Sequence, residues 1–427
     1  MAQLIYDETG RLLFTEEMKK EYTILIPQML PVHFTIMRQI LETKGFRCET
    51  LGGDPREIVD TGLKYVHNDT CYPALLVIGQ LINAVNSGKY DVNKVALLIT
   101  QTGGGCRASN YIHLLRKALK KAGLEQIPVI SLNLSGLEKN PGFKLSFDLG
   151  IKMAYAMVYG DLIVLLANQT RPYELNAGET DRMVSYWMDR LVKEFSEGVK
   201  VGRKKVNENM DLICADFAKI PVGEKNKTKV GVVGEIDVKY SPLGNNNLEE
   251  FLLAEGYEPV VPGLMDFIIF KVYNREVDVN LYGGSTIKKI ACHILKGYIE
   301  RYQQDMIDTI NKYPMFRAPG TFRHLEHLAM DYRGAGNKMG EGWLLTGEML
   351  ELINDGVNNI VCTQPFGCLP NHIVGKGMIR RIKDDYPESN IVAIDYDPSA
   401  TRINQENRIK LMLANTGKMK EFVKTED

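Results

Sequence analysis

Residues 94–100 read Lys-Val-Ala-Leu-Leu-Ile-Thr, a short apolar run with β-branched side chains that is typical of a buried strand. A glycine-rich loop follows this run. Residues 109–122 then have the apolar spacing of a helix that ends at Gly123, and residues 128–133 again have the composition of a strand. Strand, helix and strand in this order predict a βαβ unit of a parallel sheet.

The same alternation extends in both directions along the chain. Toward the N-terminus, strands are predicted at 22–27 and 46–51, around a helix at 33–44 that ends at Gly45. A second series has strands predicted at 228–236, 257–261, 359–361 and 390–394, and helices at 247–255, 344–354 and 373–385. The sequence therefore predicts two α/β units.

The two series resemble each other in sequence. Gly79-Gln-Leu-Ile-Asn-Ala-Val-Asn-Ser-Gly88 aligns without a gap with Gly347-Glu-Met-Leu-Glu-Leu-Ile-Asn-Asp-Gly356. A predicted strand follows each segment, and then a similar loop: Thr100-Gln-Thr-Gly-Gly-Gly-Cys106 in one and Thr363-Gln-Pro-Phe-Gly-Cys368 in the other. Chance similarity between α/β units is the alternative, but the shared Thr-Gln and Gly-Cys pairs favour an internal repeat.

This pattern predicts the α/β class, with two related Rossmann- or flavodoxin-like parallel-sheet domains and additional helices. We place the first α/β domain at 1–141 and a helical segment that joins or covers the sheets at 142–224. The second α/β domain then occupies 225–427, with a helical insertion at about 263–340. Ligands of open parallel sheets bind beyond the carboxyl ends of the strands, so we expect the site in the cleft between the domains.

Composition narrows the class of protein. The chain has 427 residues, with 52 lysines and arginines against 53 aspartates and glutamates, and the resulting net charge of −1 argues against nucleic-acid binding by bulk charge. Seven cysteines are too few for a disulfide scaffold. No signal-peptide pattern is present at the N-terminus, and the apolar stretch 154–167 is interrupted by Asp161 and too short to span a bilayer. We expect a cytoplasmic protein with reduced thiols and no membrane contact.

Four of the cysteines fall at predicted strand ends or helix starts, where the strand-end rule turns them toward the cleft. They are Cys71, Cys106, Cys362 and Cys368. The last two lie around the end of the strand predicted at 359–361, with Cys362 directly after it. The other three lie in apolar or helical patterns and are interpreted as core thiols: Cys48, Cys214 and Cys292.

Thiols at helix starts and in glycine-rich loops are stabilised as thiolates, which metal sites require. Glycines also let backbone amides approach a bound cofactor closely, and the candidates are Gly103, Gly104, Gly105 and Gly367. Spacing alone leaves three alternatives: an iron–sulfur cluster, structural zinc, and unligated or redox-active thiols. Zinc usually takes Cys-x-x-Cys pairs, whereas five residues separate Cys362 from Cys368.

Five segments carry a resemblance to a known family. They are His67-Asn-Asp-Thr-Cys-Tyr-Pro73, Thr100-Gln-Thr-Gly-Gly-Gly-Cys-Arg107, Cys362-Thr-Gln-Pro-Phe-Gly-Cys-Leu-Pro-Asn371, Ile391-Val-Ala-Ile-Asp-Tyr-Asp-Pro398 and Asn404-Gln-Glu-Asn-Arg-Ile-Lys410. The chain resembles the 2-hydroxyacyl-CoA dehydratase and benzoyl-CoA reductase superfamily over about residues 20–415. The resemblance is greatest to the dehydratase-like region of large activase fusion proteins from anaerobic bacteria.

The resemblance implies a low-potential [4Fe–4S] cluster between two α/β domains. Carried over by motif, Cys71, Cys106 and Cys362 are the ligands, with Cys368 as a fourth or alternate ligand. A related branch carries a double-cubane cluster, but it is expected to need more thiolates than the four that are well placed here. The resemblance also implies an ATP-hydrolysing activase as electron donor, an acyl-CoA or small-molecule substrate, and a homo- or heterodimer.

Four further residues have both a functional and a structural interpretation. His67 and His372 flank the cysteine motifs and are candidate proton donors, although loop histidines often only bond the backbone. Arg107 would offset cluster charge or contact a carboxylate, or simply begin a helix in solvent. Glu341 would face the cleft or cap the helix at 344–354.

Overall fold

A computed structural model describes residues 2–67, 69–102, 105–133, 138–144, 146–198, 202–332 and 334–414. Within them the protein is a mixed α/β structure with two four-stranded parallel sheets. The strands of the first sheet are β1 (Thr23–Ile26), β2 (Arg47–Thr50), β3 (Val95–Thr100) and β4 (Val129–Leu132). Those of the second are β5 (Lys229–Gly234), β6 (Glu258–Val260), β7 (Asn359–Pro365) and β8 (Asn390–Tyr396). Below, residues 2–141 are called the first half and residues 225–414 the second half.

The two sheets have the same strand order, β2-β1-β3-β4 and β6-β5-β7-β8. Each neighbouring pair is parallel, as in the register that joins Leu25 to Leu97 and the one that joins Val232 to Val361. All eight predicted strands are confirmed, because short apolar runs buried on both faces form parallel strands. The matching order agrees with the internal repeat seen in the sequence.

Helices cover these sheets and fill the space between them. In the first half they are α1 (Glu16–Glu21), α2 (Pro31–Glu42), α3 (Pro55–Tyr65), α4 (Tyr72–Asn86) and α5 (Tyr111–Ala122). Between the halves lie α6 (Phe147–Thr170), α7 (Glu179–Ser196) and α8 (Arg203–Phe217). In the second half they are α9 (Ile236–Tyr240), α10 (Leu248–Ala254), α11 (Leu264–Tyr282), α12 (Thr286–Ile310), α13 (Phe322–Tyr332), α14 (Leu344–Asn354), α15 (Ile379–Asp385) and α16 (Arg402–Ala414).

The aligned repeat segments form α4 and α14, the helices that precede the central strands β3 and β7. Both end in a glycine with left-handed backbone, since φ is 75° at Gly88 and 74° at Gly356. A residue with a side chain is strained in this conformation, which explains why each segment stops at glycine. The two aligned segments therefore end in the same backbone conformation.

The region after β7 differs from the prediction. Strand β7 continues four residues beyond position 361 and pairs with β8 up to Pro365 and Tyr396, so Cys362 lies inside the strand. The predicted helix at 373–385 begins as a π turn over Asn371–Gly375, and α15 starts only at Ile379. The buried Asn371 amide donates to the Thr363 carbonyl, which holds this turn against the strand.

Helix α6 is the one helix of the described residues that is long and apolar enough to cross a membrane. It is longer than the apolar stretch noted in the sequence, but 56% of its most apolar window is buried within the protein. Its Asp161 accepts hydrogen bonds from the backbone amides of Leu264 and Met265 and from His33, each at 2.8 Å. These contacts identify α6 as a core helix that joins the two halves.

The two halves also pack directly on each other. Tyr72 and Leu75 of α4 share an apolar cluster with Val230, Val232 and other residues of the second sheet. Helix α3 supports α4 from behind at very close range: a Cβ atom added to Gly79 would lie 2.3 Å from the Ile58 carbonyl oxygen. Only glycine permits such a close helix crossing, which holds the middle of α4 against α3.

Candidate functional site at the junction of the two halves

Cys71 lies at the start of α4 and touches the second half. The backbone amide of Tyr72 donates to the Phe366 carbonyl at 3.1 Å. Gly367 has a φ of 75°, and a Cβ atom added to it would lie 3.3 Å from the Cys71 Cα. The loop that ends in Cys368 is therefore folded onto the helix start that carries Cys71.

Cys106 lies at the corresponding loop of the first half, before a 3-10 turn at Arg107–Ser109. The amide of Gly105 points at the Met339 sulfur, 3.3 Å away. A Cβ atom added to Gly340 would lie 3.0 Å from Pro370 and 3.8 Å from the Cys106 sulfur. The loop before α14 thus covers Cys106 and reaches the segment just after Cys368.

Cys71 interacts electrostatically with both Cys106 and Cys368. Burial is the main cause that raises the pKa of the Cys71 thiol to about 11; a 2.8 Å hydrogen bond with the Tyr111 hydroxyl opposes the shift, and Glu235 and Cys106 add to it. Burial likewise raises the pKa of Cys368, to which Glu341, Glu235 and Cys71 also contribute. Cys71 is thus near both Cys106 and Cys368, and burial favours the protonated form of each of these thiols.

Cys362 is not brought to this group. It is fully buried in β7, and its sulfur lies 3.7 Å from the Asn371 side-chain oxygen. Burial raises the pKa of Cys362 to about 12, and the charges that act on it are those of Glu348, Asp395 and Lys376 rather than of another cysteine. Because β7 is longer than predicted, Cys362 lies within the strand and not directly after it.

Two carboxylates, Glu235 and Glu341, lie near the three thiols. Glu235 directly follows β5, and its side chain accepts the amides of Asp237 and Val238 at 3.0 Å, which caps α9. Glu341 is 6% exposed and accepts the Ile236 amide at 3.2 Å rather than capping α14, so its capping interpretation was wrong. Burial, followed by the charges of Glu341 and Asp237, raises the pKa of Glu235 well above its usual value.

A lysine completes the polar part of the site. The Lys271 ammonium, on α11, donates to the Gly340 carbonyl at 2.9 Å. Burial lowers its pKa, while the charges of Glu341 and Cys106 oppose that shift. A cation thus lies beside the thiol that is nearest to the loop before α14.

The remaining predicted site residues have other surroundings. His67 is exposed, with its Nδ1 3.4 Å from the Asp69 carboxylate, and Arg107 donates to the Asp69 carbonyl at 2.7 Å. His372 is exposed and contacts Gln364, with 3.0 Å between Nδ1 and the amide nitrogen, in a polar group with Asp395. His67, His372 and Arg107 therefore lie at the edge of the site. Among the described residues, no hydrogen bond or ion pair joins them to the thiols.

Two of the four glycines predicted to bind a cofactor can be located in the structure. Gly105 and Gly367 adjoin Met339 and Cys71 as described, and Gly103 and Gly104 lie outside the described residues. Of the three predicted core thiols, Cys48 and Cys214 are buried, and Cys292 is partly exposed on α12. Burial raises the pKa of both buried thiols to about 12, as expected for inert core cysteines.

Three residues of the site were not found from the sequence. Glu235 follows a strand directly, so the rule that selected the cysteines would also have selected it. Tyr111 begins α5, the helix after the Cys106 loop. Its sequence pattern is that of an ordinary core residue, since aromatic side chains are common in protein cores. Lys271 lies on a long helix far away in sequence and carries no local signal.

The donor set was compared with two kinds of metal site. Within the part of the chain that the structure describes, no three His, Cys, Asp or Glu side chains converge closely enough to hold one metal ion. A cubane cluster distributes its thiolates over several irons, so its ligands surround a volume instead of meeting at a point. Cys71, Cys106 and Cys368 offer the kind of donor atom that such a cluster takes.

Comparisons with known proteins add no relative. No protein-family model matches the chain, and a search of curated proteins found no significant match.

Proposed function

We propose that the chain is an iron–sulfur protein of the 2-hydroxyacyl-CoA dehydratase type, with two Rossmann- or flavodoxin-like domains that hold a [4Fe–4S] cluster between them. Cys71, Cys106 and Cys368 would be its ligands. The observation that supports the proposal is that Cys71, at the junction of two sheets with the same strand order, lies near both Cys106 and Cys368. The sequence resemblance suggests the family, and the surroundings of Cys71 support three of its four candidate ligands.

The surroundings of the thiols suit an electron-accepting cofactor. The cluster, when bound, would supply low-potential one-electron chemistry. On binding a cluster the three thiols would release their protons, because the pKa of each is raised in the free protein. The Tyr111 hydroxyl would donate to the Cys71 thiolate, and such hydrogen bonds tune cluster potential.

Two groups of the chain are placed to handle a substrate. Burial and the charges of Glu341 and Asp237 raise the pKa of Glu235 and so favour its protonated form, and we assign its carboxyl group as a proton donor near the thiols. The half-buried Lys271 ammonium would bind a carbonyl or carboxylate oxygen. An acyl-CoA or a smaller oxygen-bearing molecule is the substrate that we propose for this pair of groups.

An ATP-hydrolysing activase remains the proposed electron donor, and the cytoplasm the proposed location. Exposed apolar side chains beside Cys368 favour a docking partner here, since Phe366 is 54% and Leu369 68% exposed. The alternative function is an electron-transfer or cluster-carrying accessory protein without an acyl-CoA substrate. A double-cubane reductase needs more thiolates than the three that meet here.

Metal analysis of anaerobically purified protein tests the proposal. We expect iron and sulfide in similar amounts and an electron paramagnetic resonance signal after reduction. Cys106→Ser and Cys368→Ser should each lower the iron content severalfold, whereas Cys48→Ser, which changes a buried thiol elsewhere, should not. Zinc without iron, or equal iron loss in all three variants, would contradict the proposal.

Turnover separates the enzyme from the accessory protein. The reduced chain, mixed with an activase, ATP and a panel of 2-hydroxyacyl-CoA compounds, should release water from at least one of them. Glu235→Gln should then slow turnover while it keeps the iron content. Electron uptake without conversion of any compound would favour the accessory function.

A further inference from the structure

The N-terminal half of α12 exposes an apolar face. Seven large apolar side chains that are at least 36% exposed lie within residues 281–298: Leu281, Tyr282, Ile287, Ile290, Ile294, Leu295 and Tyr298. Helical spacing places four of them on one side of α12, called the outer face below: Ile287, Ile290, Ile294 and Tyr298. Contiguous apolar surface of this kind marks an interaction site on a soluble protein.

The opposite side of this part of α12 is polar and faces α11. The Lys289 ammonium donates to the Asn280 side-chain oxygen at 2.6 Å. Four residues further along α12, His293 Nδ1 lies 3.1 Å from the Glu276 carboxylate. A surface helix in water has the reverse arrangement, with its apolar side against the protein and its polar side in solvent.

The C-terminal half of the same helix has the ordinary arrangement. Its apolar side chains are at most 8% exposed and belong to the largest core cluster: Ile299, Tyr302, Met306 and Ile310. The reversed polarity is therefore confined to the part of α12 before residue 299. Water is an unfavourable environment for that part, since the apolar side chains gain nothing from the protein behind them.

The charge near the outer face is positive. Residues 279–299 contain three lysines and no aspartate or glutamate. Glu300, just beyond this segment, contacts Lys296 at 3.6 Å. Among the described residues no carboxylate forms an ion pair with Lys288 or Lys289, and Lys288 is exposed at the edge of the outer face.

From the reversed polarity and this charge we propose that the outer face of α12 binds an anionic lipid surface. The helix would lie in the plane of the membrane, with its isoleucines among the acyl chains and Lys288 beside anionic headgroups. A second copy of this face would offer the lysines no carboxylate from residues 279–299, so an anionic lipid is the better match. The inference goes beyond the proposed function and does not depend on a cluster.

A helix that lies on a membrane differs from one that spans it. The sequence predicted no membrane contact because it shows no signal peptide and no apolar stretch long enough to span a bilayer. A helix in the interface needs no such stretch, only an apolar face of a few turns with basic residues nearby. The outer face becomes recognisable only when the structure shows which side of α12 rests on α11.

The test is co-sedimentation of the full chain with phosphatidylcholine vesicles that contain or lack phosphatidylglycerol. We expect binding to the anionic vesicles that weakens as salt is added. Ile294→Asp should weaken this binding by at least about tenfold, because it removes an inserted apolar side chain and adds a carboxylate. Ile403→Asp on α16 is the matched control and should bind as wild type, since Ile403 is 68% exposed and Ile294 67%.

A second variant tests the charge separately from the apolar contact. Lys288→Gln should weaken binding to the anionic vesicles by about fivefold and leave the unfolding temperature unchanged. Failure of the wild type to bind anionic vesicles, or equal binding by Ile294→Asp, would overturn the inference. Light scattering that shows a wild-type dimer and an Ile294→Asp monomer would also overturn it, because a second copy would then cover the outer face. Iron analysis tests the proposed function independently of these results.

Discussion

The two halves share a strand order but bury different kinds of polar side chain. Among the described residues of the first half, the buried polar groups include no carboxylate, lysine or arginine. Among its described residues the second half buries two lysines and eight carboxylates, including Lys239, Glu341, Glu348 and Glu351. Buried charges are costly, so the stability of the second half should depend more strongly on charge than that of the first.

One aligned pair of residues shows the contrast directly. Gln80 of α4 is neutral, and it accepts the Gln28 amide at 3.1 Å and donates to the Leu51 carbonyl at 3.2 Å. Its counterpart on α14 is Glu348, whose carboxylate lies 2.7 Å from the Lys239 ammonium with both side chains almost fully buried. The same position in the fold thus carries a neutral side chain that hydrogen-bonds the backbone in one half and a buried ion pair in the other.

The largest expected effect comes from breaking that ion pair. Lys239→Met leaves Glu348 buried without its cation and should lower the free energy of unfolding by about 3–5 kcal/mol. Gln80→Leu, the matched change in the first half, should cost about 1–3 kcal/mol through two unmet backbone groups. Urea unfolding of both variants measures the difference, and equal losses would refute the contrast between the halves.

A pH effect of intermediate size should belong to the second half. Burial, with the charges of Glu348 and Asp161, raises the pKa of Asp266 to about 7. A group with a raised pKa stabilises the folded state below its unfolded pKa of 3.8, and that stability is lost as pH rises toward 7.

Asp266→Asn keeps an oxygen for the amide of Gln303, which donates to Asp266 at 2.7 Å. At pH 8 we expect this variant to be more stable than wild type by about 2–4 kcal/mol, an advantage that should disappear near pH 4. Chemical unfolding across this pH range is the measurement. A constant difference at every pH would show that Asp266 is ionised in the folded protein throughout.

The smallest effect is expected at Cys362. In the aligned loops it corresponds to Ile99 of β3, a core residue that is 1% exposed. Cys362→Ala should therefore cost about 1 kcal/mol of stability through lost packing and leave the iron content unchanged. Loss of most of the iron in this variant would show that Cys362 is a cluster ligand. It would also contradict the structural correspondence between Cys362 and Ile99.

Much of the fold could be predicted from the sequence because its signals are local. Apolar runs identified β3 and its neighbours, and Gly45 and Gly123 marked helix ends, where the structure has positive φ. The bounds of α14 were predicted at 344–354, where the structure has them. Strand β7 was predicted too short because Thr363 and Gln364 look polar, yet both are fully buried beside β8.

The site was only partly predictable, since its remaining parts depend on contacts distant in sequence. In the sequence, Glu348 has the pattern of an exposed acidic residue on a helix. Only the structure shows that it is buried and paired with Lys239. Lys271 and Met339 enter through the packing of α11 and of the loop before α14. The candidate cysteines could be found because strand ends and helix starts are recognisable from the local sequence. The direction in which the Cys362 side chain points could not be predicted in this way.

Helix α4 has a consequence for how the molecule comes apart. It belongs to the first half by sequence, but Tyr72, Leu75 and Leu76 are part of the apolar core of the second sheet. Neither half can unravel without uncovering surface that the other needs, so unfolding is expected as a single cooperative transition. Because the same helix begins beside Cys71, the thiol site should survive local fluctuations and vanish only together with the global fold.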